Sequence, residues 1–252
     1  EKERKLTAYH EAGHAIVMRS IPGSDPVHQI TIIPRGGAGG FTMQLPEEDK
    51  QYATKGMMLN DIKHLLGGRV AELLTLDDIS TGASNDIQRA TDVARAMVTK
   101  YGFSDKLGPV NYSDSEEVFL GNDFSSKKSY SEEVAAEIDH EIRRIVEEAF
   151  EETKNIISEN LDKLESVAQA LLAVETLDGQ QFEQLYTGEK SAEDIENDVM
   201  EKEAEIRKVN AQEAEESERL RREAEERLME EIERLRNQYV SADGTTHRRD
   251  EE

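Results

Sequence analysis

Apolar positions recur every three or four residues through most of the first 190 positions, and this spacing predicts a mainly helical fold. Ser84 and Ser131 precede two of the periodic segments and are expected to cap them. Gly67 and Gly68 interrupt another, where each glycine costs about 1 kcal/mol relative to alanine. The pair therefore indicates either a close approach to a second helix or a break. The predicted helices cover 2–20, 48–74, 85–101, 131–159, 161–175 and 178–187.

A small sheet is predicted between the first two helices. Residues 29–34 form a β-branched run that lies between Pro26 and Pro34. Glycines at 36–40 predict a turn, and 41–45 would be the partner strand. Two interpretations of the first strand stay open: a structural hairpin, or a sheet edge that pairs with an extended polypeptide substrate. The second interpretation assigns substrate contact to Ile30, Thr31, Ile32 and Ile33.

The composition changes near Lys190. All five prolines precede it, whereas residues 191–252 contain one glycine, one aromatic residue, 11 bases and 21 acids. We therefore predict a folded domain over 1–190, a charged amphipathic helix over 191–240 and a disordered tail over 241–252. The apolar stripe of this helix permits a coiled coil with a neighbouring subunit or an adaptor. Polar residues within the stripe favour a solvated helix instead.

The overall composition excludes several classes of protein. A net charge of −24 argues against non-specific nucleic-acid binding, and the absence of cysteine excludes disulfides and thiolate metal ligands. The longest apolar run is five residues, 170–174, and a bilayer span needs about 20, so this chain is expected to be soluble. It begins with Glu1, without a secretory signal, and is expected to be a fragment or a processed form.

The strongest chemical signal is the H-E-x-x-H pattern of residues 10–14, within the first predicted helix. His10 and His14 are one helical turn apart, so both imidazoles can reach one Zn²⁺ ion. Glu11 lies beside them, where its carboxylate can take a proton from a water that the metal activates. The alternative is a helix that carries two unrelated surface histidines, but the helical context favours zinc.

A catalytic zinc usually has three protein ligands, and the residues alone leave the third one open. The extended pattern that ends in a third histidine fails, because Val17 and Ser20 occupy its last two defined positions. Glu72 could instead form an exposed ion pair with Arg69, and Asp86 could be an acid at a helix N-terminus. The candidates are His28, His64, Glu72, Asp77, Asp78, Asp86 and His140.

Five sequence blocks, in the same order, resemble the protease domain of the FtsH family of AAA proteases over about residues 1–187. They are T-A-Y-H-E-A-G-H-A at 7–15, D-P-V-H at 25–28 with T-I-I-P-R-G at 31–36, G-G-R-V-A-E at 67–72, S-T-G-A-S-N-D-I at 80–87, and Y-G-F-S at 101–104 with L-G-P at 107–109. The resemblance implies that His10, His14 and Asp86 bind one zinc ion per chain and that Glu11 is the catalytic carboxylate. It also implies that Glu72 orients a ligand histidine rather than binding the metal.

The resemblance further implies a zinc endopeptidase that belongs to an ATP-dependent, membrane-anchored, hexameric protease of unfolded or short-lived proteins. This chain has no G-x-x-x-x-G-K-[ST] phosphate loop, so ATP and the membrane would be used only by modules that precede it. The expected location of the parent protein is the cytoplasmic face of a bacterial membrane, or its organelle equivalent. The competing hypothesis is a non-catalytic assembly module with a structural zinc and an acidic partner-binding helix.

Overall fold

A computed structural model describes residues 1–34, 36, 39–46, 52–76, 78–113 and 130–243, with side chains up to 236 at the C-terminal end. Within these residues the fold is mainly helical with one small sheet, as predicted. The helices are α1 Lys2–Ser20, α2 Lys55–Thr75, α3 Ser84–Thr99, α4 Glu132–Ser158, α5 Leu161–Val174, α6 Gly179–Thr187 and α7 Ala192–Asp243. The strands are β1 Val27–Thr31, β2 Phe41–Gln44 and β3 Thr176–Asp178.

Helix α1 is the central element, and every residue from Ala8 to Val17 is buried. It contacts α2, α4, α5 and the sheet, which together bury this segment. The glycine pair of α2 permits the closest of these approaches. A Cβ atom on Gly67 would lie 2.8 Å from the carbonyl oxygen of Gly13, and one on Gly68 would lie 2.5 Å from the imidazole ring of His10. The predicted close approach to another helix is therefore correct, and α2 continues unbroken through the pair.

The sheet has the strand order β2-β1-β3, with both pairings antiparallel. Ile30 pairs with Thr42 in β2 on one side and with Leu177 in β3 on the other. The short strand β3 was not predicted, because three residues between two helices carry no periodic signal. Strand β3 pairs with the edge of β1 that the substrate-strand hypothesis required to be free for a polypeptide.

The prediction that Ile30, Thr31, Ile32 and Ile33 form a substrate-binding edge is therefore wrong for the described fold. The first two lie in the central strand, and the backbone N–H of Ile32 donates to the carbonyl oxygen of Glu175 at 3.0 Å. Ile33 follows the strand, and its N–H donates to the hydroxyl of Thr31. The hairpin interpretation holds instead, since β1 and β2 pair as expected.

Two helix starts differ from the prediction. Helix α2 begins at Lys55 rather than at 48, because the hydroxyl of Thr54 accepts a hydrogen bond from the backbone N–H of Met57 and caps the helix there. Residues 47–51 lie outside the described residues. Helix α3 begins at Ser84, so Ala83, not Ser84, is its N-cap residue. The predicted cap at Ser131 is confirmed, and its hydroxyl accepts from the backbone N–H of Val134.

Helix α7 begins at Ala192, close to the predicted boundary. The chain divides into two compact units, residues 1–196 and 197–252. Ile195, which is fully buried, thus belongs to the first unit. All residues from 201 to 236 are exposed, and the helix continues to Asp243, three residues into the segment expected to be a disordered tail. Residues 244–252 lie outside the described residues.

Candidate metal centre

Helix α1 brings His10, Glu11 and His14 into a buried position at the floor of a cleft. They are 8%, 6% and 8% exposed. Asp86, in the first turn of α3, and the residues of β2 also line this cleft. The sequence neighbours of the histidines are small or apolar, so the helix can be buried on all sides while three polar side chains converge on the cleft.

The two imidazoles and one carboxylate form a triangle of ligand atoms. The Nε2 atoms of His10 and His14 are 3.0 Å apart, and Oδ2 of Asp86 is 3.2 Å from the first and 3.6 Å from the second. Ligands bound at about 2.0–2.1 Å to one tetrahedral ion are about 3.3–3.4 Å from each other. The triangle therefore has the size that a zinc ion requires.

The opposite nitrogen of each ring determines which tautomer faces the triangle. Nδ1 of His14 donates to the backbone carbonyl oxygen of His64 at 2.7 Å, and a carbonyl can only accept. Nδ1 of His10 donates to Oε1 of Glu72 at 2.8 Å. Both neutral rings consequently direct an Nε2 lone pair toward the carboxylate of Asp86. Three acceptors at this separation repel one another unless a positive charge lies between them.

In the metal-free chain a proton can supply that charge. Burial lowers the pKa of His10, but hydrogen bonds to Asp86 and Glu72 outweigh it and raise the pKa to about 9. For Asp86 burial acts in the opposite direction and raises the pKa. Its hydrogen bonds to His10 and His14 outweigh that effect and hold the pKa well below its usual range. A divalent cation that replaces this proton satisfies all three acceptors at once, so the residues present fit a zinc ion.

Glu72 is fully buried behind His10. Its Oε1 accepts from His10 and from the hydroxyl of Ser80, and its Oε2 accepts from the backbone N–H of Ser80 at 2.9 Å. Burial by itself raises the pKa of Glu72, but these hydrogen bonds lower it by more. The net pKa is therefore below its ordinary value, and the group is ionised. Arg69 lies 3.8 Å from Oε2, yet Glu72 is not the exposed surface acid that one interpretation of the sequence required.

Glu11 lies in the same cleft but takes no part in the triangle. Its Oε2 accepts a hydrogen bond from the hydroxyl of Thr42 at 2.8 Å. Because Glu11 follows His10 directly, its side chain leaves the helix about 100° around the axis from that of His10. It therefore stays available to a water or a substrate that enters the cleft.

None of the remaining third-ligand candidates in the described residues contributes a side chain to the triangle. The side chains of His28, Asp78 and His140 are exposed and outside the cleft lining, and Asp77 lies outside the described residues. His64 lines the cleft but contributes its backbone carbonyl. Burial, together with the charges of His14 and Lys63, lowers the pKa of the His64 ring to about 4, so this ring is neutral.

Several functional contacts were not assigned from the sequence, although Ser80 opens one of the five blocks that resemble the FtsH family. The carbonyl of His64, the hydroxyl of Thr42 and the loop residue Ser80 act through their positions in the tertiary structure. Gly68 is a partial exception, since the glycine pair predicted a close contact. Only the fold shows that Gly68 makes this contact with the ring of His10.

A helix with the H-E-x-x-H pattern, whose two imidazoles meet a carboxylate from a second helix, defines the metallopeptidase class. Residues 1–185 match the sequence model of a protein family described as peptidase family M41. This chain therefore belongs to peptidase family M41, which confirms both the expected enzyme class and the resemblance to FtsH.

Named relatives agree with this membership. The chain is 66% identical over 190 residues to ATP-dependent zinc metalloprotease FtsH 2 of Alkaliphilus metalliredigens, covering 75% of this chain and 28% of the relative. It is 60% identical over 190 residues to FtsH 1 of Thermoanaerobacter sp., covering 75% and 31%. It is 51% identical over 187 residues to FtsH of Bacillus subtilis, covering 73% and 29%. The chain thus spans about three tenths of the length of these relatives. No helix in the described residues combines the length and apolar character of a bilayer span.

Proposed function

We propose that residues 1–196 are a zinc-dependent endopeptidase domain that hydrolyses peptide bonds in unfolded polypeptides. The observation that supports this most directly is the triangle of acceptors formed by His10, His14 and Asp86, because it matches one tetrahedral zinc ion per chain. Zinc bound there would act as a Lewis acid toward the scissile carbonyl and would acidify a water molecule.

Glu11 is the general base in this proposal. Its carboxylate accepts a proton from the attacking water and passes it to the nitrogen of the leaving amine. The buried position of Glu11 beside His10 keeps bulk water from competing for the carboxylate. Glu72 holds the ring of His10 in the tautomer that directs Nε2 into the cleft, and the carbonyl of His64 does the same for His14.

The substrate would bind along β2 rather than β1. Within the described part of the sheet β2 and β3 are both outer strands, but only β2, through Phe41–Gln44, lines the cleft that contains Glu11. An extended polypeptide can pair with such an edge through backbone hydrogen bonds, which tolerate many sequences. This mode of binding suits a protease of unfolded chains.

The parent protein would be an ATP-dependent, membrane-anchored homohexamer at the cytoplasmic face of a membrane. The ATP dependence is supported by the names of the relatives, which are ATP-dependent zinc metalloproteases, and by the short share of their length that this chain spans. The membrane anchor, the hexamer and the location are what the resemblance to the FtsH family implies. ATP and the membrane would then be engaged by the remainder of such a protein.

The deciding experiment compares the wild-type chain with Glu11→Gln and Asp86→Asn. We expect one zinc per wild-type chain by elemental analysis, and cleavage of unfolded casein that a chelator abolishes. Glu11→Gln should keep the zinc and lose activity by at least about 100-fold, since general-base catalysis contributes 10²–10⁴-fold. Asp86→Asn should lose the zinc, whereas the control variant Asp78→Asn should keep both the zinc and the peptidase activity. A wild-type chain that retains zinc but cleaves nothing would favour the assembly module instead.

A further inference from the structure

We propose that Thr42 is a positioning residue for Glu11, and that it joins the proposed base to the strand on which the substrate lies. The inference rests on the proposed function, because it assumes that Glu11 is the base and that β2 receives the polypeptide. Thr42 stands in the middle of β2, and no motif in the sequence marks it.

The hydroxyl of Thr42 makes two contacts with the same residue. Its Oγ1 lies 2.8 Å from Oε2 of Glu11 and 3.0 Å from the backbone carbonyl oxygen of Glu11. A hydroxyl has one proton to donate, so the two acceptors share it. The contact thus holds the Glu11 carboxylate near its own backbone and limits the rotation of a side chain that has three torsions.

A second contact restrains the same side chain at its methylene group. A Cβ atom on Gly40 would lie 3.0 Å from Cγ of Glu11 and 2.5 Å from the carbonyl oxygen of Thr31. The segment that leads into β2 therefore packs directly against the stem of Glu11, while Thr42 holds its oxygen. Both restraints come from one segment, residues 40–42.

This arrangement links the binding of a substrate to the position of the base. Thr42 pairs with Ile30 of β1, β2 is an outer strand of the sheet, and its residues line the cleft. A polypeptide that adds to this edge would fix β2 in place, and Thr42 would transfer that order to the carboxylate of Glu11. A misplacement of about 1 Å can cost about 100-fold in rate, so the contact should matter more for kcat than for KM.

The test replaces Thr42 by valine, which has nearly the same shape and β propensity but no hydroxyl. In the zinc-loaded 252-residue chain, Thr42→Val should lower kcat for an unfolded peptide by about 10-fold to 100-fold, with KM changed less than about threefold. Zinc content and affinity should stay unchanged. A crystal structure of the metal-free variant should show the Glu11 carboxylate moved away from its position beside β2.

Two further variants complete the design. Thr42→Ser keeps the hydroxyl and should retain kcat within about threefold of the wild type. Thr99→Val removes an exposed hydroxyl that donates to the carbonyl of Arg95, far from the cleft lining, and should change nothing.

The outcomes separate this inference from the proposed function. Wild-type kcat in Thr42→Val, an equal loss in Thr42→Ser, or loss of zinc from Thr42→Val would each overturn the positioning role while the peptidase proposal stands. A wild-type chain without chelator-sensitive cleavage would overturn both.

Discussion

The Nε2 atom of His10 lies 3.0 Å from the Nε2 atom of His14, although neither nitrogen carries a proton when both rings are neutral. The Nδ1 atom of His10 donates to Glu72, and that of His14 donates to the backbone carbonyl of His64. These hydrogen bonds fix the two rings with their Nε2 atoms toward each other. Asp86 adds a third acceptor. The fold thus brings together groups that repel one another, and a cation between them relieves the repulsion.

Zinc binding should therefore release a proton. Asp86 and Glu72 raise the pKa of His10 to about 9, so at pH 7 the metal-free site is protonated. Because zinc competes with this proton, its affinity should rise by about tenfold for each pH unit between 6 and 8. Calorimetric titrations in two buffers of different ionisation enthalpy measure the number released, which we expect to be about one at pH 7. An affinity independent of pH would contradict the proposed ligand set.

Gly68→Ala should disrupt the metal centre from a neighbouring helix. The added methyl group would lie 2.5 Å from the ring of His10, so the imidazole has to move away from the triangle. We expect zinc affinity to fall by about 10-fold to 100-fold, while circular dichroism shows that the helices are retained.

Gly56→Ala in the same helix is the matched control, because its added methyl group would meet no atom closer than the hydroxyl of Thr54 at 4.0 Å, apart from its chain neighbours and the helix backbone. It should keep the wild-type zinc affinity and change the free energy of unfolding by less than about 1 kcal/mol. Equal zinc affinity in both variants would mean that the ring of His10 tolerates the methyl group.

A buried carboxylate outside the metal centre, Glu141, should make the stability of the domain depend on pH. Hydrogen bonds from Arg144 and Ser104 outweigh burial and lower the pKa of Glu141 to about 2. Because the pKa of Glu141 is lower in the folded than in the unfolded state, its ionised form stabilises the fold at pH values above about 4.5. This stabilisation is lost as the pH falls toward 2. Glu141→Gln should cost about 1–3 kcal/mol at pH 7 and progressively less below pH 4.5, as measured by urea unfolding.

Glu148→Gln provides the control for this effect. Glu148 also accepts from Arg144, at 2.8 Å, but its side chain is 58% exposed. Its loss should cost less than about 1 kcal/mol, because exposed ion pairs are screened by solvent. A pH-independent difference between Glu141→Gln and the wild type would show that the cost comes from packing.

Deletion of residues 197–252 tests the role of α7. Its apolar side chains are exposed, with Ile206 at 58% and Leu228 at 58%, and Arg222–Glu218 is one of several ion pairs along the helix itself. These features favour the solvated helix. We therefore expect the truncated chain to have the same number of subunits by light scattering, and fewer subunits would support the coiled coil.

The position of the cut matters, because Ile195 is fully buried in the first compact unit. A second truncation after Lys190 would remove it. This shorter chain should be less stable by about 2–5 kcal/mol in chemical unfolding, the usual cost of removing a buried isoleucine side chain. The two truncations therefore separate assembly through α7 from packing at its first turns.

Much of the fold follows from local patterns. The spacing of His10 and His14 on one helix, the hairpin of β1 and β2 and the cap at Ser131 depend on residues close together in the chain, so periodicity and turn chemistry predict them. The start of α2 at Lys55 did not follow, since the apolar spacing extends past the cap at Thr54. The strand β3 was missed because its pairing partner lies some 150 residues away.

The sequence by itself determined the chemistry of this protein: two imidazoles one helical turn apart with a carboxylate directly after the first, in an acidic chain without cysteine. Only the tertiary structure decided the rest of the centre. Asp86 reaches the histidines because α3 packs on α2, and Glu72 is ionised while buried because Ser80 and His10 surround it. The third ligand and the tautomers depend on contacts between residues distant in sequence, and no local spacing encodes such contacts.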